Sequence, residues 1–178
     1  MFRKLKLFFN RDLIKKLTHE SVMKNNFKDA DDSLVWHYTA AEPHLDNIIK
    51  DKLLKVSHVE KRLGEKATLW FSKDQMWEPT SIKVPKGLVT YKGIEGLFFQ
   101  HMFCGAGRVG VKFSDFNFTS WEKYKKLTPN NADEHIWMEN VAEKALAKRG
   151  NWFCVYHDIP SNKWRKVQKF DGKNWHDV

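Results

Sequence analysis

Between residues 34 and 54 the hydrophobic period of the chain changes. Leu34-Val35-Trp36-His37-Tyr38-Thr39 is a short apolar run of strand length. It gives way at once to Leu45, Ile48, Ile49 and Leu53, the spacing of one helix face. Thr39 and Glu42 stand where a capping box would start that helix, and Pro43 suits its first turn. This arrangement predicts His37 at a strand end beside a helix N-terminus, where backbone N–H groups favour anionic ligands. A second apolar strand follows at Ala67-Thr68-Leu69-Trp70-Phe71-Ser72, and then a turn into a helix or loop over 73–83, limited by Pro79 and Pro85.

Elsewhere the pattern is read in the same way. Phe9, Leu13 and Leu17 recur at helical spacing with lysines between them, which predicts a basic amphipathic surface helix over 1–23, docked on a domain spanning 24–178. Residues 24–33 are polar and connecting, and 56–66 form a charged loop. Residues 87–118 read as β structure, short apolar runs punctuated by glycine. Residues 121–127 and 132–148 read as helical, the latter ending at Gly150. Two strands close the chain, 152–159 and 164–170, with Asp171-Gly172 as a turn before Asn174-Trp175. The class is α+β, with most helices early and most strands late.

Composition sharpens this picture at three points. The 178 residues carry 31 basic against 22 acidic side chains, a formal charge of +9. That charge fits either a lysine-rich solvated surface or a polyanionic partner, nucleic acid or a phosphate-bearing cofactor. With 8 Trp and 13 Phe, core and pocket alike are expected to be aromatic. Cys104 and Cys154 are too few for a disulfide framework or a structural zinc site. Their apolar neighbours point to buried free thiols and a reducing, cytoplasmic setting, one buried disulfide being the alternative. No run is long and apolar enough to span a bilayer, and the N-terminus lacks the continuous apolar core of a secretion signal.

Two literal motifs carry less than they promise. Gly105-Ala106-Gly107-Arg108-Val109-Gly110 matches G-x-G-x-x-G, but Val111-Lys112-Phe113 continues it as a strand where a dinucleotide fingerprint needs a helix. These glycines therefore read as a turn. His135 and Glu139 lie one helical turn apart and could share a metal or a proton, but no third ligand is evident, so no metal site is expected.

The His37-Tyr38-Thr39 strand with its following helix resembles the first strand and helix of the ADP-ribosyltransferase fold. Residues 67–72 resemble that family's second conserved strand, aromatic and ending in a small residue. Asn151-Trp152-Phe153-Cys154-Val155-Tyr156 resembles the strand that carries its catalytic glutamate. The order and spacing agree over most of 34–170. The resemblance implies a split antiparallel β core with flanking helices, and NAD as substrate. It implies that His37 bonds the adenosine-side ribose, that Thr39 fixes the adjoining turn beside Tyr38, and that Ser72 lies near the nicotinamide ribose. Trp77, with Trp70 as the second choice and Phe71 beside it, would stack on the nicotinamide ring.

One departure stands out: the family's glutamate is absent at Gly150-Asn151-Trp152. Glu78, next to Trp77, is the nearest carboxylate in sequence to the expected pocket and is taken as the catalytic group with His37. Glu134, Glu139 and Glu143 are further options. The leading expectation is an NAD-dependent ADP-ribosyltransferase-like enzyme modifying a macromolecule, nucleic acid before protein; small members of this family often resemble toxins or phage-encoded modifiers. The alternative is a non-catalytic nucleic-acid-binding protein, based on the charge and on the basic–aromatic run Lys163-Trp164-Arg165-Lys166.

Overall fold

The strand carrying His37 lies at the centre of the fold. In the computed structural model, which describes residues 31–57, 66–81, 93 and 95–178, Leu34–Ala40 form β1. The remaining strands are β2 (Leu53–Leu54), β3 (Leu69–Ser72), β4 (Ala106–Lys112), β5 (Thr119–Ser120), β6 (Trp152–Val155), β7 (Ile159–Pro160), β8 (Trp164–Phe170) and β9 (Trp175–Asp177). Seven of them make an antiparallel sheet in the order β5-β6-β3-β1-β4-β8-β9, and β2 pairs with β7 in a small ribbon. The helices are α1 (Asp46–Asp51), α2 (Glu95–Cys104), α3 (Trp121–Leu127) and α4 (Ala132–Ala145). The chain is thus α+β with an antiparallel sheet. The helix expected over 1–23 lies outside the described residues, as does most of the loop expected over 56–66.

Alternation along β1 separates two cores. Val35 joins Leu69, Phe71, Val109, Val111 and Val155 on one face, beneath Leu45, Leu54 and Ile159. Leu34, Trp36 and Tyr38 face the other way, with Trp77, Leu97 and Phe170. A third cluster forms where α3 and α4 cover β6, through Trp121, Tyr124, Ala142, Trp152 and Cys154.

Three expectations are corrected. The helix expected from the Thr39–Glu42 capping box through Leu54 shrinks to α1, because Glu42, the residue before Pro43, is extended at φ −118° and ψ 131°. No side chain caps this start, and Lys52, left-handed at φ 52°, ends it. The apolar stripe therefore divides: Leu45 is fully buried, Ile49 is exposed, and Leu53 and Leu54 pair with β7. The stretch 87–118 is not uniformly β, since α2 occupies Glu95–Cys104. This helix packs against β1, β4 and the Ala41–Leu45 turn and is apolar on several sides, so it leaves no amphipathic period to read. Finally, α4 ends at left-handed Leu146, not at Gly150.

The glycine motif ends a helix and starts a strand, the reverse of a dinucleotide fingerprint. Only Gly105 belongs to a turn; the others lie in β4. A Cβ on Gly107 would stand 2.7 Å from Leu45 Cδ2, and one on Gly110 2.8 Å from Trp36 Cζ3. Gly110 thus leaves room for the Trp36 ring, whose centre lies 3.8 Å from the Arg108 guanidinium; the Trp175 ring lies 4.3 Å from the same guanidinium. Arg108 is buried and donates Nε to Gln168 Oε1 at 2.8 Å and Nη1 to the Gln75 carbonyl. Burial lowers its pKa from the ordinary arginine value. Arg108→Met would leave both acceptors without their charged donor, and is expected to lower the unfolding free energy by about 3 kcal/mol. Urea denaturation checks this, and Arg108→Lys should recover little, because an ammonium lacks the planar fork.

Candidate active site: an aromatic cavity at a strand seam

Strands β1 and β3 are registered at one pair, Trp36 opposite Ser72. Beyond it a side chain takes the place of the ladder: His37 Nδ1 lies 2.9 Å from the Trp70 carbonyl. A carbonyl only accepts, so Nδ1 carries the hydrogen of this bond. The His37 ring also tilts against Phe71 at 5.9 Å. His37 therefore sits mid-strand, not at the strand end beside a helix N-terminus, and it marks a seam in the sheet.

A cavity of about 380 Å³ opens at this seam, and His37, Tyr38, Trp70, Phe71, Ser72 and Glu78 all line it. Trp70 packs edge-on against Tyr124 at 4.9 Å. Two walls escaped sequence reading: Met138 from α4 and Trp152 from β6. Neither residue type at its spacing signals a pocket, and only the packing of α4 over the Pro79–Ser81 turn brings Met138 in. Two lining residues carry buried polar atoms with no hydrogen-bond partner among the described residues, Thr68 Oγ1 and Trp152 Nε1.

Glu78 supplies the carboxylate. Its Oε1 accepts from Thr80 N at 3.1 Å and Thr80 Oγ1 at 2.8 Å, and its Oε2 from Ser72 Oγ at 3.0 Å. Burial raises its pKa above the ordinary glutamate value; the bonds from Thr80 oppose this and the charge of Asp74 adds to it. The Ser72 hydroxyl lies 3.2 Å from Asp74 Oδ2 and accepts from Asp74 N at 3.1 Å. Asn151 donates Nδ2 to Asp74 Oδ1 at 2.9 Å. Asp74 is the functional candidate that sequence reading missed. Its spacing from Ser72, two residues on, is that of a side-chain–backbone turn.

Other expected residues lie elsewhere. Trp77 is buried in the second core, edge-on to Tyr38 at 5.3 Å, and does not line the cavity. The bend after Ser72 carries it to the opposite side of the sheet, so Trp70 is the tryptophan of β3 available for stacking. The Tyr38 hydroxyl is buried and donates to the Asp74 carbonyl, and burial pushes its pKa well up. Thr39 is buried, its carbonyl accepting from Gln100 Nε2 at 2.9 Å. It lines a second cavity of about 400 Å³ with His44, Asn47 and Asp51, which shares His37 and Lys55 with the first. Glu139 is engaged by Trp121, Lys125 and Arg149, while Glu134 and Glu143 are exposed on α4. His135 pairs with Thr128 Oγ1 at 3.0 Å, and among the described residues no three His, Cys, Asp or Glu side chains converge on a metal position. Cys104 and Cys154 are not joined in a disulfide, and no helix among the described residues is long and apolar enough to cross a membrane.

No family model, curated protein or solved structure matches the chain.

The raised Glu78 pKa fixes a sign. A carboxyl that holds its proton more tightly folded than unfolded contributes stability that is complete below the ordinary glutamate value and is lost as pH rises through the folded value. Glu78→Gln is expected to remove that loss, so the two proteins should diverge in urea midpoint as pH rises from about 4 upward. Parallel midpoints across this range would mean that Glu78 titrates as a solvated group.

Proposed function

We propose that the protein is an NAD-dependent ADP-ribosyltransferase-like enzyme acting on a macromolecular acceptor, nucleic acid in preference to protein. The observation that carries this reading is the convergence of His37, Trp70, Ser72 and Glu78 on one cavity. The strands matched by the resemblance, β1, β3 and β6, are neighbours in the sheet, and the single-pair junction of β1 with β3 accords with a split antiparallel core.

The chemistry asks for three things at the cavity, and there is a group for each. A positively charged nicotinamide ring prefers an aromatic face, which Trp70 offers. Ribose hydroxyls need polar partners, and Ser72, Thr80 and His37 have hydrogen-bonding atoms there. Breaking the bond between ribose carbon and ring nitrogen develops oxocarbenium character, which an ionised carboxylate stabilises most strongly away from water. Glu78 is that carboxylate, since Asn151 occupies the expected strand position and its side chain is bound to Asp74. The net charge of +9 favours a polyanionic acceptor.

The non-catalytic nucleic-acid reading gains less support. Trp164 donates Nε1 to the Ile159 carbonyl at 3.2 Å and packs against the first core, and Arg165 pairs with Asp115 at 2.7 Å. The aromatic ring that would stack on bases is thus committed to the fold.

Calorimetric titration of NAD is expected to give saturable binding in the wild type and none in a folded His37→Ala variant. Glu78→Gln should still bind NAD but release nicotinamide more slowly by about 100-fold or more. Absence of NAD binding in the wild type, with strongly salt-dependent oligonucleotide binding in its place, would overturn the enzyme reading and favour the binding module.

A further inference from the structure

Ser72 stands between two carboxyl groups with one hydrogen to give. Its Oγ lies 3.0 Å from Glu78 Oε2 and 3.2 Å from Asp74 Oδ2, and it accepts the Asp74 N–H at 3.1 Å. A hydroxyl donates once and accepts twice. With both carboxylates ionised, one oxygen would face a serine lone pair. With one carboxyl protonated every position is filled: that carboxyl donates to Oγ, and Oγ donates to the other.

We propose that Ser72 passes a proton between Asp74 and Glu78, so that the two carboxyl groups share one proton and Asp74 is the positioning residue for the ionisation of Glu78. The two ends differ in surroundings, which gives the pair a direction. Glu78 is buried at the cavity, while Asp74 is half-buried and anchored by Asn151 at 2.9 Å. Among the described residues, the titratable groups that also line the cavity are His37 and Tyr38 from β1 and Lys55 after β2, and α4 contributes the uncharged Met138. Lys55 is exposed and paired with Asp51 at 2.7 Å, so it is not committed to Glu78. Two buried polar atoms on lining residues, Thr68 Oγ1 and Trp152 Nε1, have no partner among the described residues.

Its role in catalysis rests on the NAD reading. As the ribose–nitrogen bond breaks, the electron pair leaves with the ring nitrogen, and the shared proton resides on Asp74, leaving Glu78 ionised against the cation. The acceptor's O–H or N–H then forms the new bond to the ribose carbon. Its proton passes to Glu78, and Asp74 releases its own to solvent. No oxidant or further reactant is required.

The test is a titration of ¹³C-labelled side-chain carboxyls by NMR, beside NAD turnover on the same samples. Two steps are expected in the wild-type Glu78 signal, because a coupled pair titrates as a unit. Asp74→Asn should leave one step, at lower pH. Ser72→Thr should keep both, and Ser72→Ala, which retains the Asn151 anchor, should separate the Glu78 signal from that of Asp74. Nicotinamide release in the wild type should follow both Glu78 steps, and in Asp74→Asn, where Glu78 ionises without a partner, it should follow the single step and set in at lower pH. A single Glu78 step that Asp74→Asn does not move overturns the shared proton, even if NAD is consumed. Two coupled steps without any NAD turnover sustain the shared proton and sink the NAD reading.

Discussion

A buried guanidinium packed against two indoles anchors the segment that returns Glu78 to the cavity. Arg108 costs desolvation energy, and its burial is offset only if its donors are met and its faces covered. Trp36 and Trp175 cover it, and Gln168 and the Gln75 carbonyl meet its donors. Those partners tie β1, β8, β9 and the segment after β3 to one side chain. Around it, Trp36 donates to Gln75 Oε1, Tyr38 to the Asp74 carbonyl, and Trp175 to the Met76 carbonyl. Three consecutive residues of an irregular segment are thereby held by indole and phenol donors. That segment bends back on itself, burying Trp77 in one core and returning Glu78 to the cavity.

The cavity is built from what the sheet leaves undone. A continuous ladder between β1 and β3 would fill the seam with backbone pairs. His37 instead satisfies the Trp70 carbonyl with a side chain, so the strands part without leaving that acceptor bare. Aromatic rings line the gap, and the buried Glu78 carboxylate is approached by the hydroxyls of Ser72 and Thr80. Cavity lining and backbone accounting coincide at His37, which serves both.

How much of this was legible follows from what each residue's signal depends on. Residues 164–170 and 121–127 were readable to the residue, because their patterns match the face they bury. The helix after β1 was not: Pro43 forces Glu42 out of helical geometry, and the two leucines after Lys52 are claimed by β7, a partner more than a hundred residues away. The helix α2 is apolar all round and so carries no period. Glu78 was reachable by proximity to a recognisable strand. Trp77, its neighbour, was misplaced by the same proximity, because a bend that reverses facing is set by Arg108, Tyr38 and Trp175 and not by local spacing. Asp74 and the walls from α4 and β6 depend on tertiary packing alone.

The junction of β1 and β3 has a mechanical meaning. One registered pair and one imidazole bond join a three-strand leaf, β5-β6-β3, to a four-strand leaf, β1-β4-β8-β9. Most of the load between the leaves is therefore carried by side chains, which tolerate rotation better than a hydrogen-bonded ladder does. The ladder is longest within each leaf and shortest along one line, and that line runs past the cavity. A ligand seated there would act as a splint, adding rigidity between two bodies that the backbone itself couples only weakly.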